Sequence, residues 1–256
     1  MRTLAASLVL GACLAAPAAG ALTLVSQARS VSAFASLSPS FGTPQTESET
    51  KTAPDSAPFS DAASAGLGFV GATSHQTSTI TTSGGAPFVD ATGDAAGQSF
   101  SMGLSRDFGS ADAASRLSIT FTLDAAQAFA LSAAVSGTNV VAPPPDPSPN
   151  PGSMSASIEL LDGSGAAIAQ LARSSPASTA FDERAEFSGR LEPGTYTLRA
   201  AATGGASGDF YNLGFASGRA AFAVELSLVP EPGALGLLVL ALLGARGLEA
   251  RSRAPR

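Results

Sequence analysis

Along RLSITFTL, residues 116–123, apolar and polar positions alternate without a break. Leu117, Ile119, Phe121 and Leu123 share one face; Arg116, Ser118, Thr120 and Thr122 share the other. A period of two is the pattern of a half-buried strand, because successive side chains of a strand point to opposite sides of the sheet. The pattern returns at Phe129, Leu131, Ala133 and Val135, after a turn at Asp124-Ala125-Ala126, and the two runs are expected to pair as a hairpin. Met154, Ala156, Ile158 and Leu160 alternate with Ser153, Ser155, Ser157 and Glu159. Asp162-Gly163-Ser164-Gly165 reads as a turn, and Ala166–Ala172 as the returning strand. Further on, Phe187 and Leu191 oppose Glu186, Ser188 and Arg190. The tight turn Glu192-Pro193-Gly194 leads to a strand with Tyr196, Leu198 and Ala200 inward. Last, Ala220, Phe222, Val224, Leu226 and Leu228 alternate with Arg219, Ala221, Ala223, Glu225 and Ser227.

No helical periodicity of comparable strength occurs between Leu22 and Leu228. Many short alternating runs joined by turns predict an all-β fold, an antiparallel β-sandwich of jelly-roll type. Leu22–Ala35 and Ala72–Ser83 are candidates for further strands. Residues 36–66 are rich in Ser, Thr, Pro, Ala and acids without a pattern, and read as a long low-complexity loop or a partly disordered segment. PPPDPSPNP, within Val141–Gly152, reads as an extended polyproline-like loop. LEPGTYTL, residues 191–198, resembles a turn-and-strand unit of secreted bacterial sandwich domains, a likeness that carries no activity.

Composition narrows the chemistry. The chain has 256 residues, 14 Lys plus Arg against 20 Asp plus Glu, one His, one Cys and no Trp. A net charge of −6 argues against nucleic acid, whose phosphates call for a basic face. Catalysis resting on His or Cys has almost no candidates.

The two ends depart from the strand pattern. Met1-Arg2 followed by apolar Leu4–Ala16 and the small residues APAAGA has the layout of a secretory signal peptide over residues 1–21. An Ala-x-Ala cleavage site lies at Ala19-Gly20-Ala21, with cleavage a few residues earlier equally allowed. Cys13 lies inside this segment. Leu10-Gly11-Ala12-Cys13 resembles a lipobox, but the apolar run continues past it, and the plainer reading is a small hydrophobe of the signal. The predicted mature chain therefore has neither disulfide nor thiol. At the other end, Val229-Pro230-Glu231-Pro232 follows the last strand. Twelve uncharged residues come next, including Ala234, Leu235, Leu237, Leu238, Val239, Leu240, Leu242 and Leu243. Arg246, Arg251, Arg253 and Arg256 close the chain. As a helix the apolar run spans roughly 18 Å, short of a bilayer core of roughly 30 Å. Tilt, local thinning and snorkelling of Arg246 would let it reach across. The arginines hold the tail on the cytoplasmic side and place everything upstream on the far side.

Pro-Glu-Pro, apolar run and basic end, in that order over Val229–Arg256, resemble the PEP-CTERM sorting signal of Gram-negative bacteria. The resemblance implies recognition and processing by exosortase, export through the Sec machinery, and a transient membrane anchor. It also implies a final place at the cell surface or outside the cell, with a role tied to exopolysaccharide, biofilm or envelope. The arginines here are spread among Gly247, Leu248, Glu249 and Ala250 rather than tightly clustered. Loss of both ends would leave about residues 22–228, with 18 acids (20 less Glu231 and Glu249) and 9 bases (14 less Arg2 and the four tail arginines), a net charge of −9.

Inside the β-domain the candidate chemistry is sparse. His75 is an ordinary strand or loop residue unless a Ser and an acid meet it in space. Asp182-Glu183-Arg184 reads as a solvated turn ahead of a strand. Asp90, Asp94, Asp162 and Asp209 are read as lying in Gly-rich turns where Ca²⁺ would find hard oxygen ligands, although Asp also favours turns for local reasons. GGASG at 204–208 lacks the Lys and the helix of a phosphate loop. The reading is a non-enzymatic exported protein with no required cofactor. A carbohydrate-binding module is the alternative, with Tyr211 in GDFYNLG its best exposed aromatic, and a hydrolase ranks last.

Overall fold

The computed structural model describes residues 21–82, 88–101, 108–142, 152–175, 180–209 and 214–230. Twelve strands are formed. They are β1 (Leu22–Ser38), β2 (Gln45–Thr52), β3 (Phe59–Leu67), β4 (Val70–Ile80), β5 (Val89–Ser101) and β6 (Phe108–Leu123), then β7 (Gln127–Ala142), β8 (Gly152–Asp162), β9 (Ala167–Ser175), β10 (Ala180–Leu191), β11 (Gly194–Asp209) and β12 (Gly214–Pro230). Two six-stranded antiparallel sheets result, β2-β1-β6-β11-β8-β9 and β10-β7-β12-β5-β4-β3. They pack face to face around one core, so the expected all-β sandwich is present.

The alternating runs bury the faces expected of them. Leu117, Ile119, Phe121 and Leu123 meet Leu131, Val135, Leu198, Phe222, Val224 and Leu226 in that core. The β8–β9 hairpin is also as expected. Its turn is held by Asp162, whose Oδ1 accepts from the Ser164 amide (2.8 Å), the Ser164 hydroxyl (2.6 Å) and the Ala166 amide (2.9 Å). The Ser164 hydroxyl first, then the Ala166 amide, hold this carboxyl below its ordinary range.

The hairpin expected of 117–123 and 129–135 does not form. β6 and β7 belong to different sheets, and the Asp124–Ala126 link carries the chain from one layer to the other. Two amphipathic strands joined by a short turn can pair edge to edge or face each other across a core, and both arrangements bury the same residues. The partners come from far along the chain: β11 beside β6, and β12 beside β7. Each sheet is thus assembled in part from strands far apart in the chain, joined by connections that pass between the layers.

Residues 36–66 are not a loop. They complete β1, form β2 and most of β3. β2 escapes pattern reading because it is an edge strand with both faces largely in water, QTESETKT. Its acids have a structural use. Glu49 accepts the Ser64 amide at 2.8 Å and Glu47 the Gly66 amide at 3.0 Å, so carboxylates occupy the outer edge of β3. Lys51 reaches Asp61 at 3.0 Å and Glu49 at 3.4 Å. Unpaired strand edges invite other strands, and polar capping of this kind closes one.

Arg29 is buried on β1 although it is charged. Its guanidinium donates to the carbonyl oxygens of Asp55, Ala57 and Ser78 and to the Ser78 hydroxyl, its Nε to Gln27 Oε1 at 2.8 Å, and it stacks over Phe59. It ties the β2–β3 link onto both sheets. Burial lowers its pKa and the nearby Asp55 opposes that shift.

Candidate functional site

Two places carry the candidate functional residues: the end of the sandwich where β1 starts and β12 ends, and the solvent face of the sheet containing β12.

The first is built from four strand ends. Leu22 pairs with Leu123, and the Asp124 amide donates to the Ala21 carbonyl at 3.3 Å. Pro230 pairs with Gln127 and Val229 with Ala128. Only Asp124, Ala125 and Ala126 lie between the two strands that hold them. The start of β1 and the end of β12 therefore emerge from one end of the molecule, a layer spacing of about 10 Å apart. β12 is an interior strand flanked by β5 and β7, and its ladder with β7 continues through Pro230. Proline has no amide hydrogen, so the last rung is a natural stop. Val229 is 60% exposed. Of the predicted sorting motif, Val229 and Pro230 lie in β12, and Ala21 is exposed just before β1. Ala19, Glu231, Pro232, the apolar run from Ala234 to Leu243 and the four arginines lie outside the described residues. Among the described residues, no helix is long and apolar enough to cross a membrane.

The second place is a groove of about 520 Å³ running across β3, β4, β5, β12 and β7. Gly66, Gly71 and Ala96 leave its floor low; Ser64, Thr73, Gln98, Thr138 and Ser217 supply hydroxyls and an amide; Phe215 and Arg219 stand on β12. Cross-strand pairing explains the convergence, since Ser64, Thr73, Ala96, Arg219 and Thr138 form one row. The next row along the strands carries His75 and Asp94, neighbours on β4 and β5. His75 Nδ1 lies 3.9 Å from Asp94 Oδ1, and Arg219 lies 3.5 Å from Asp94 Oδ2. Exposed Phe100 pairs with Phe215, and exposed Phe69 lies against Phe100 at 6.3 Å between ring centroids.

This arrangement is a polar surface with an aromatic margin. His75 meets an acid, yet among the described residues no serine hydroxyl is hydrogen-bonded to it. Asp182, Glu183 and Arg184 are not in a turn; they lie within β10, and Glu183 pairs with Arg173 at 2.5 Å. Asp90 and Asp94 likewise lie inside strand β5 and not in turns. Asp162 is committed to its own turn, and Asp209 ends β11. Among the described residues, no group of three His, Cys, Asp or Glu side chains is placed to hold a metal ion. Tyr196 is buried, as its position in the alternation predicts, and donates to the Glu192 carbonyl at 2.6 Å. Tyr211 and the polyproline segment 143–151 lie outside the described residues. Sequence reading missed the groove because its lining comes from six strands and is mostly Gly, Ala, Ser and Thr. Phe215, just ahead of the last recognised run, was the available signal.

The class defined by this architecture is the two-layer antiparallel β-sandwich. No family model and no curated protein matches the chain. Among solved structures it has likeness to the enzymatically active domain of tailspike protein 4 of bacteriophage CBA120, at TM-score 0.21 and 16% identity over 66% of this chain and 19% of that one. An arabinose-bound GH51 α-L-arabinofuranosidase follows at TM-score 0.17 and 12% identity over 60% and 22%. The infectious bursal disease virus Gx strain structure gives TM-score 0.20 and 11% identity over 90% and 75%. The chain thus spans about a fifth of the first two proteins. Superposition this weak carries no argument about activity.

Proposed function

We propose that the chain is an exported protein whose β-sandwich reaches the cell surface or exterior by way of a PEP-CTERM tail processed by exosortase. There it acts without catalysis, as a structural or interaction domain of the envelope or extracellular matrix. The observation that supports this reading best is the shared exit of the two ends. A signal peptide preceding Leu22 and a membrane-seeking tail following Pro230 would both leave from the same end of the sandwich. A chain held at both ends during export could then fold with its body clear of the bilayer. The ladder through Pro230 supports the reading as well, since the proposed motif would begin at the last rung of β12.

Intact mass decides the matter. Protein from producing cells is expected to lack both terminal segments when exosortase is present and to keep the C-terminal one in cells without it. An identical C-terminus in both strains rejects the reading. Binding to exopolysaccharide is a second reading, supported by the groove beside Phe215 and Phe100. Phe215→Ala should then abolish retention of the protein on its own cells' polysaccharide while leaving its mass and fold unchanged.

A further inference from the structure

We propose that two copies of this chain form a symmetric dimer by pairing their β10 strands antiparallel, edge to edge, about Ala185. A two-layer sandwich of this kind has four sheet edges, β2, β3, β9 and β10. Three are blunted. The β3 amides of Ser64 and Gly66 are taken by Glu49 and Glu47. β2 is short, eight residues, and carries those acids and Lys51. β9 has nine residues, and its pairing with β8 slips at Leu160/Leu161. Shortness, charge and irregularity are the usual means of keeping an edge unpaired. β10 has twelve residues and pairs with β7 in unbroken register from Ala180 to Leu191. Among the described residues, no strand pairs with its outward edge.

The charges on β10 fit a second copy of the same strand. Its solvent face reads Asp182, Arg184, Glu186, Ser188, Arg190. Two-fold pairing of antiparallel strands sets one residue opposite itself, and each choice of that residue gives a different set of neighbours. With Ala185 at the centre, Arg184 faces Glu186 of the second copy and Glu186 faces its Arg184. Asp182 and Ser188 face each other in the same way, and no like charges meet. Centring on Arg184 opposes Arg184 to itself and Asp182 to Glu186. Centring on Glu186 opposes Glu186 to itself. Centring on Phe187 opposes Arg184 to Arg190. Opposite charges directly across a strand pair stabilise it and like charges destabilise it. Centring on Ser188 also avoids like charges, setting Glu186 opposite Arg190, but it overlaps only residues 185–191; the Ala185 register overlaps 180–190 and is the longest free of conflict. Charges placed only to repel other strands would not need this palindromic order.

The contact is isologous, so it closes at two copies, and the blunted remaining edges do not extend it. It joins the two six-stranded sheets that contain β10 into one sheet. Antiparallel pairing points the two tail-bearing ends in opposite directions. The two tails would not enter one flat membrane side by side, so the dimer belongs to chains released from it.

The test is made on the full chain in detergent micelles, where its outcome does not depend on whether the tail is processed. In a Cys13→Ala background, Ala185→Cys should give a covalent dimer on mild oxidation. Residues directly opposed in an antiparallel pair have Cα atoms about 4.5–5.5 Å apart, within the reach of a disulfide. Ser188→Cys should not crosslink, because its two copies would be offset by six residues, about 20 Å. Adding Arg184→Glu should reduce the Ala185→Cys dimer about tenfold, and adding Glu186→Arg as well should restore it. Light scattering of the unsubstituted chain should give twice the monomer mass. A monomeric mass at every concentration overturns the proposal. So does an Ala185→Cys chain that retains its β-sheet circular dichroism without crosslinking, or a dimer indifferent to the charge reversals.

Discussion

The two ends of the sandwich are filled by different means. The end that carries the chain termini is wide. Phe88 meets Phe121 edge to face at 4.9 Å, Phe121 lies 5.7 Å from Tyr196, and Leu123, Leu191, Leu198 and Leu226 fill the space around them. The opposite end is thin. Ala35, Ala72, Ala95, Ala111 and Ala206 are among its buried residues, with Val70 and Met154 the larger ones, and four glycines bring the two sheets to backbone contact. A Cβ on Gly218 would stand 2.0 Å from the Ser153 carbonyl oxygen and 2.6 Å from that of Gly205. One on Gly204 would stand 2.4 Å from the Gly218 oxygen, and one on Gly97 2.7 Å from the Ala111 oxygen. The wide end gains stability from apolar area removed from water. The thin end buries little such area. It relies on close backbone approach, and on carboxylates that close the β3 edge at Ser64 and Gly66.

This difference yields a ranked set of outcomes. Gly218→Val should be the most damaging, because the obstacles are carbonyl oxygens of two strands that cannot turn aside. A loss above about 4 kcal/mol is expected, with little folded protein recovered. At the wide end, fully buried Leu198→Ala should cost about 2–5 kcal/mol and leave a folded chain with a lower denaturant midpoint. A smaller loss for Gly218→Val than for Leu198→Ala would refute the contrast.

Arg29→Met should come next. It leaves the carbonyls of Asp55, Ala57 and Ser78 without their donor while keeping much of the side-chain volume. A cost of about 1–3 kcal/mol is expected, with faster proteolysis in the 53–58 link as the local readout. Gly165→Ala should be mild, about 1 kcal/mol: the turn needs φ of +85°, but nothing lies within 4 Å of the new methyl group.

Acid should produce the smallest effect and act on the β3 edge. Glu49 is held below its ordinary range, first by the Ser64 amide, and Asp61 first by its hydrogen bond to Lys51. Depressed carboxyl pKa values stabilise the fold above the unfolded values, near 4, and that contribution disappears as pH falls through the folded ones. Protection of the Ser64 amide, taken relative to the intrinsic exchange rate at each pH, should therefore fall on acidification before protection at Leu198 does. Glu49→Gln should remove most of the pH dependence at Ser64.

The wide end was legible in the sequence for a physical reason. Large apolar residues at a period of two can be satisfied only by a strand with one buried face, so 117–123, 154–160 and 220–228 declared their faces. The thin end carries the same period in Ala, Gly and Ser, where the contrast between faces is weak. There the pattern is faint; β2, likewise without a marked apolar face, reads as loop, and Asp90 and Asp94 on β5 read as turn residues. The groove shares that weakness, being lined mostly by small residues gathered from six strands.

By itself the sequence determined the β class, the inward faces of the strong strands, the β8–β9 turn and the presence of two atypical ends. Those are local properties, set by side-chain alternation and turn chemistry. Only the tertiary structure decided that β6 and β7 face each other across the core instead of pairing. It also decided that β11 and β12 return beside them, and that Leu22 and Pro230 leave from one end. Strand pairing is made through backbone groups that every residue carries, so it leaves little trace in side-chain pattern. The partner of each edge is settled when all twelve strands compete for a place in two sheets.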